Sequence, residues 1–114
     1  MEKHAKVVVI GGGVVGCSIL FHLAKFGLKD CILLERKELT SGSSWHAAGN
    51  VHVISNDPNI SRLMAYTIRL YKEIEKTSGH STGFKPSGGF YLASNEVWDD
   101  YLKRERSKAR YMGL

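Results

Sequence analysis

The run Lys6-Val7-Val8-Val9-Ile10-Gly11-Gly12-Gly13-Val14-Val15-Gly16 constrains the fold more than any other stretch of the chain. Val7 to Ile10 is uniformly apolar and β-branched, the pattern of a strand buried on both faces of a parallel sheet. Gly11, Gly13 and Gly16 fit GxGxxG. Gly11 permits a tight strand-to-helix turn. Gly13 has no Cβ, so backbone can approach a pyrophosphate. Gly16 lets the following helix pack closely on the strand. Val14 to Phe26 reads as a helix, apolar nearly all round and ended by Gly27. Cys31 to Leu34 reads as a second buried strand closed by Glu35. These pieces make a complete Rossmann-like βαβ unit with a right-handed crossover, in an α/β fold. The helix N-terminus offers N–H groups and a positive dipole end to phosphates, with Val14 and Val15 in its first turn. Glu35 stands about 20 residues beyond the turn, where a carboxylate accepts from ribose hydroxyls and repels a 2′-phosphate. Together these features point to an ADP-containing dinucleotide. They do not choose between NAD and FAD, which share that moiety.

Size and charge narrow the classes. At 114 residues, 43% hydrophobic and 24% charged, the chain has the composition of one ordinary globular domain. No apolar run approaches the roughly 18–20 residues of a membrane span. The first strand begins almost at Met1, which leaves no room for a leader and gives the expectation of a prokaryotic cytoplasm. Cys17 and Cys31 lie in apolar segments and read as buried free thiols. The net charge of +5 is spread among acids, and its densest cluster, Lys103 to Arg110, reads as a solvated helix face. Nucleic acid is therefore not an expected partner. No Cys, His or acidic spacing marks a metal site.

Arg36 to Asn56 is long, irregular and rich in Ser, Gly and His, which reads as an ordered functional loop. Asp57-Pro58 starts a helix. Its apolar face is Ile60, Leu63, Met64, Ile68, Tyr71 and Ile74, with Arg62, Arg69, Lys72 and Glu73 opposite, and Gly79 ends it. Gly88 to Ser94 reads as a strand. Ser94 or Asn95 caps a last helix carrying Val97, Trp98, Tyr101 and Leu102 to the chain end.

Leu39-Thr40-Ser41-Gly42-Ser43-Ser44-Trp45-His46-Ala47-Ala48-Gly49 favours the flavin over the nicotinamide. Small hydroxyl residues and glycines let backbone run beside the pyrophosphate and ribityl chain of an extended FAD, and their O–H and N–H groups donate to phosphate. An imidazole farther along, His46, falls toward the isoalloxazine. Trp45 reads as packing, and His52 as a loop residue that could face substrate. His4, His22 and His80 fall in the terminus, a helix and a loop and carry no functional signal.

On these stretches, from Val7 through the Ser-Ser-Trp-His-Ala-Ala-Gly string, with Arg69-Leu70-Tyr71 and the Gly88-Gly89 segment, the chain resembles the dimethylglycine and sarcosine dehydrogenases of the glycine/D-amino-acid oxidase superfamily. The resemblance implies an incomplete FAD-binding unit of a glutathione-reductase-type, D-amino-acid-oxidase-like flavoprotein. It implies that residues 1–114 are the amino-terminal part of that domain. Its cofactor contacts carry over to Gly11, Gly13, Val14, Val15, Gly16, Glu35, Arg36, Ser41, Ser43, Ser44, Trp45, His46 and Ala48. In covalent members of the family the histidine of that string is bonded to the flavin 8α carbon, and His46 is the matching residue. A neutral imidazole is a suitable nucleophile for that carbon.

The implied activity is oxidation of an N-methylated amino acid or related amine by hydride transfer to flavin. Electrons then pass to a carrier flavoprotein or to oxygen. Catalytic residues cannot be assigned within these 114 residues, which are expected to be inactive alone and to hold FAD weakly. A mitochondrial matrix location is the alternative to the cytoplasm. Two other functions remain open. One is a non-catalytic regulatory protein on the same fold, against which His46 argues. The other is an NAD-dependent dehydrogenase, against which the Trp-His loop argues.

Overall fold

The computed structural model describes residues 4–112. The chain forms two compact units, Met1–Asn50 and Val51–Leu114.

In the first unit, strand β1 (Val7–Ile10), helix α1 (Val14–Lys25) and strand β2 (Cys31–Leu34) follow one another. β1 and β2 pair in parallel, with Val7 opposite Cys31 and Ile10 opposite Leu34. Backbone bonds continue the ladder at both ends, from Lys6 N–H to Asp30 O at 2.9 Å and from Gly11 N–H to Leu34 O at 2.8 Å. Gly11 turns the chain from β1 into α1 at φ +103°, a conformation L side chains rarely adopt. Gly16 is buried, and a Cβ added there would overlap the Gly11 carbonyl oxygen and touch Val9 Cγ1 at 3.4 Å. The third glycine of the motif therefore sets how closely α1 rides on β1. α1 ends in a Schellman arrangement, with Gly27 N–H bonded to Ala24 O and Leu28 N–H to Leu23 O.

Burial on both strand faces is not observed. Val9 is 8% exposed, whereas Ile10 is 85% exposed, and Val8 and Leu34 are also open. A strand alternates its side chains, and α1 covers only the Val9 face. For the same reason α1 leaves Val14, Val15, Ile19 and Phe26 exposed. Cys17 and Cys31 are free but only half-buried, correcting the expectation of buried thiols. Their sulfurs lie 3.6 Å from Gly12 O and Leu28 O respectively.

In the second unit, helix α2 spans Pro58–Ser78. Asp57 caps it, its Oδ1 accepting from Asn59 N–H at 2.7 Å and Ile60 N–H at 3.1 Å. Gly79 ends it in the left-handed conformation. Leu70 is buried and Met64, Ile68, Tyr71 and Ile74 are half-buried, but Ile60 and Leu63 are exposed. Ser61, 1% exposed, turns inward instead, and its hydroxyl accepts from Ser55 N–H at 2.9 Å. A buried hydroxyl is tolerated because it is paired. Tyr71 stacks obliquely on Phe84, ring centroids 5.8 Å apart. Replacing Asp57 by Ala should cost about 1 kcal/mol, read as a lower urea midpoint, and Asp57→Asn should retain most of the wild-type stability. Equal midpoints for wild type and Asp57→Ala would mean that the cap contributes nothing.

Gly88 to Ser94 is not a strand. The segment pairs with no other strand among the described residues, and Phe90 is 97% exposed. Backbone of β character becomes a strand only when a neighbour completes its ladder. Helix α3 spans Glu96–Tyr111, and Asn95 rather than Ser94 is its cap, accepting from Trp98 N–H at 3.0 Å. The expected continuation to Leu114 lies outside the described residues. On α3 the basic residues interleave with acids. Lys103 pairs with Asp99 at 2.7 Å and Lys108 with Glu105 at 2.6 Å. None of the helices is long and apolar enough to cross a membrane among the described residues.

Candidate cofactor site

A helix begins with N–H groups that have no carbonyl a turn behind them. α1 begins after Gly13, which has no side chain to cap it. The cap comes from the loop after β2. Ser44 Oγ accepts from Val14 N–H at 2.8 Å, across 30 positions of sequence. A Cβ at Gly13 would lie 3.2 Å from that oxygen, so the glycine makes room for the hydroxyl as well as for a ligand. Ser44 can accept from Val14 and still donate its own proton outward. It is the second residue of a short 3₁₀ turn, Ser43–His46.

Glu35 leaves β2 pointing at the same turn. Its Oε2 accepts from Gly12 N–H at 2.6 Å and its Oε1 from Lys37 N–H at 2.9 Å. The Gly12 bond most of all, then that of Lys37, holds the Glu35 carboxyl below its ordinary pKa. A group depressed in the folded state stabilises it fully above the ordinary value of 4.5, and that stabilisation is lost as pH falls through the depressed value. Glu35→Gln should therefore flatten the acid limb of the stability profile below pH 4.5. Urea midpoints between pH 3 and 7 test this, and an unchanged acid limb would contradict it.

These elements enclose a cleft of about 640 Å³, within the range of small-molecule sites. Gly11, Gly13, Val14, Val15, Gly16, Glu35, Arg36, Ser41, Ser43 and Ser44 all line it. Trp45, His46 and Ala48 do not line it. Trp45 is 76% exposed and His46 is exposed on the 3₁₀ turn. The lining also includes Lys37, Thr40, Gly42 and Ala47, which sequence reasoning did not assign to the site. Gly12 escaped it too, although a Cβ there would meet Leu39 Cδ2 at 2.5 Å and Glu35 Cβ at 3.1 Å. The unbroken glycine triplet was the available signal. The His22 and His80 rings each lie within hydrogen-bond distance of a nearby carbonyl. No group of three or more metal-binding side chains converges among the described residues.

The donor set suits the ADP portion of a dinucleotide. The α1 N-terminus, the hydroxyls of Ser41, Ser43 and Ser44, and the cations of Arg36 and Lys37 favour phosphate. Glu35 retains acceptor capacity for ribose hydroxyls beyond its two backbone bonds. FAD, which carries that portion, supplies hydride acceptance at its flavin ring when bound.

Comparison with known proteins agrees with this chemistry. Residues 6–113 match the family described as FAD dependent oxidoreductase (DAO). The chain is 41% identical over 107 residues to human mitochondrial dimethylglycine dehydrogenase, covering 94% of this chain and 12% of that protein. It is 42% identical over 115 residues to human mitochondrial sarcosine dehydrogenase, covering 100% of this chain and 12% of that protein. It is also 33% identical over 114 residues to the mouse mitochondrial pyruvate dehydrogenase phosphatase regulatory subunit, covering 100% of this chain and 13% of that protein. The chain thus spans about an eighth of the length of these relatives. With its glycine turn, helix and acid assembled on one cleft, it belongs to the FAD dependent oxidoreductase family.

Proposed function

We propose that residues 1–114 are the amino-terminal part of the FAD-binding domain of an enzyme that oxidises an N-methylated amino acid. The observation that carries the proposal is the cleft on which Gly13, Glu35 and Ser44 converge. The α1 N-terminus and the loop hydroxyls hold the pyrophosphate, Glu35 holds the adenosine ribose, and Arg36 flanks it. Trp45, His46 and Ala48, outside the cleft, belong to the flavin end of an extended cofactor. His46 is the proposed covalent attachment point. Two relatives named as dehydrogenases support the substrate class, dimethylglycine or sarcosine. A third relative is named a regulatory subunit, so family membership alone does not assign catalysis. His46 favours the enzyme. An electron-carrier flavoprotein or oxygen is the proposed acceptor. The mitochondrial names of these relatives favour the matrix over the cytoplasm as the proposed location.

These 114 residues alone should show no turnover and bind FAD weakly. ADP should compete with FAD, and its 2′-phosphorylated form should compete at least tenfold less well because Glu35 repels the added charge. Equal competition by the two would remove Glu35 from the ribose site. A stoichiometrically yellow chain that oxidises dimethylglycine or sarcosine would overturn the expected inactivity.

A further inference from the structure

Thr40 is the one non-glycine residue with positive φ among the described residues, at +65°. A β-branched residue adopts that backbone only where its surroundings impose it. Here they do. Thr40 N–H donates to Gly12 O at 2.8 Å, and Ser41 N–H closes back to Glu38 O at 3.3 Å. Leu39 sits over Gly12 so closely that a Cβ on the glycine would strike Leu39 Cδ2. The other side of the same Gly12 residue is held by Glu35, which accepts its N–H at 2.6 Å. Gly12 is thus gripped through its N–H by the ribose-side acid and through its C=O by the loop. Beyond Thr40 the chain runs directly into Ser41 and Ser43, which line the cleft, and Ser44, which caps α1.

We infer that Thr40 is a positioning residue, whose left-handed backbone latches the Ser41–His46 loop onto Gly12 and so sets where the loop hydroxyls meet the cofactor beyond its adenosine end. The inference rests on the FAD reading of the cleft. The latch acts through a backbone N–H and a backbone angle, so it does not require the threonine hydroxyl. It also divides the site. The adenosine end depends on Glu35 and the glycine turn, whereas the pyrophosphate-to-flavin end depends on the loop that Thr40 aims.

Two substitutions separate these parts. Thr40→Pro removes the donor and fixes φ near −65°. Thr40→Gly keeps the donor and adopts positive φ without strain. In the ligand-free wild-type chain, the Thr40 amide should exchange at least tenfold more slowly than an unstructured amide. Thr40→Pro should weaken FAD binding at least fivefold while changing adenosine binding less than twofold, each followed by amide chemical shifts. Thr40→Gly, which also loses a cleft-lining side chain, should still bind FAD at least threefold more tightly than Thr40→Pro does. The inference is overturned if the Thr40 amide is unprotected, if Thr40→Gly loses FAD as Thr40→Pro does, or if Thr40→Pro leaves FAD binding unchanged. It is overturned equally if Thr40→Pro loses adenosine and FAD in proportion, since the turn itself has then collapsed. Failure of the FAD reading would look different. The Thr40 amide would be protected, yet the wild-type chain would bind neither ADP nor FAD.

Discussion

Gly16→Ala should leave the first unit unable to seat α1 on β1. The added Cβ would overlap the Gly11 carbonyl oxygen, a backbone atom that cannot rotate away, and would press on Val9 Cγ1. Overpacking of this kind costs about 1–3 kcal/mol, and a unit with few buried side chains has little stability to lose. The displaced Gly11 carbonyl would also shift the turn, so FAD affinity should fall at least tenfold. Val15→Ala is the control. Val15 is exposed on the preceding position of the same helix, and its truncation should change stability by less than about 0.5 kcal/mol. Urea midpoints and FAD titration of both variants test the pair. A Gly16→Ala chain as stable as the Val15→Ala chain would mean that α1 and β1 are farther apart than described.

On the proposed linkage, His46→Ala should abolish covalent attachment of flavin while leaving the adenosine end of the site intact. His46 stands outside the cleft, on the 3₁₀ turn whose Ser44 caps α1. Its removal does not touch Glu35, Gly12 or Thr40. The experiment places residues 6–113 into human dimethylglycine dehydrogenase in place of the segment they match. The graft is loaded with FAD and precipitated in acid. Flavin should remain in the protein pellet for the wild-type graft and pass to the supernatant for His46→Ala, a change from nearly complete retention to none. ADP competition should be the same for both. Retention by the His46→Ala graft would place the attachment on another residue.

Local signals in the sequence specified the first unit well. The β-branched run, the glycine spacing and Glu35 placed β1, α1, β2 and most of the cleft, because each feature acts within a few residues or along one helix. Asp57 was equally legible as a cap, whereas the α3 cap was narrowed only to Ser94 or Asn95. The features that depend on distant partners were not. Ser44 reads as a phosphate ligand, yet it also caps α1 across 30 residues. Glu35 reads as a ribose acceptor, yet its oxygens already bind two backbone amides. No residue type announces the positive φ of Thr40. The segment Gly88 to Ser94 has strand-like composition and lacks a ladder partner among the described residues. Val8 and Ile10 carry the sequence of a doubly covered strand, but α1 covers only one face.

The central claim is that the cleft between the glycine turn and the Ser41–Ser44 loop takes the ADP end of FAD. Amide chemical-shift mapping of the isotope-labelled chain during an FAD titration tests it most directly. The predicted result is that Gly11 to Gly16, Glu35 to Lys37 and Thr40 to Ser44 shift together along one saturable curve, and that ADP reproduces these shifts. Saturable binding that leaves the glycine turn and Glu35 unmoved would contradict it.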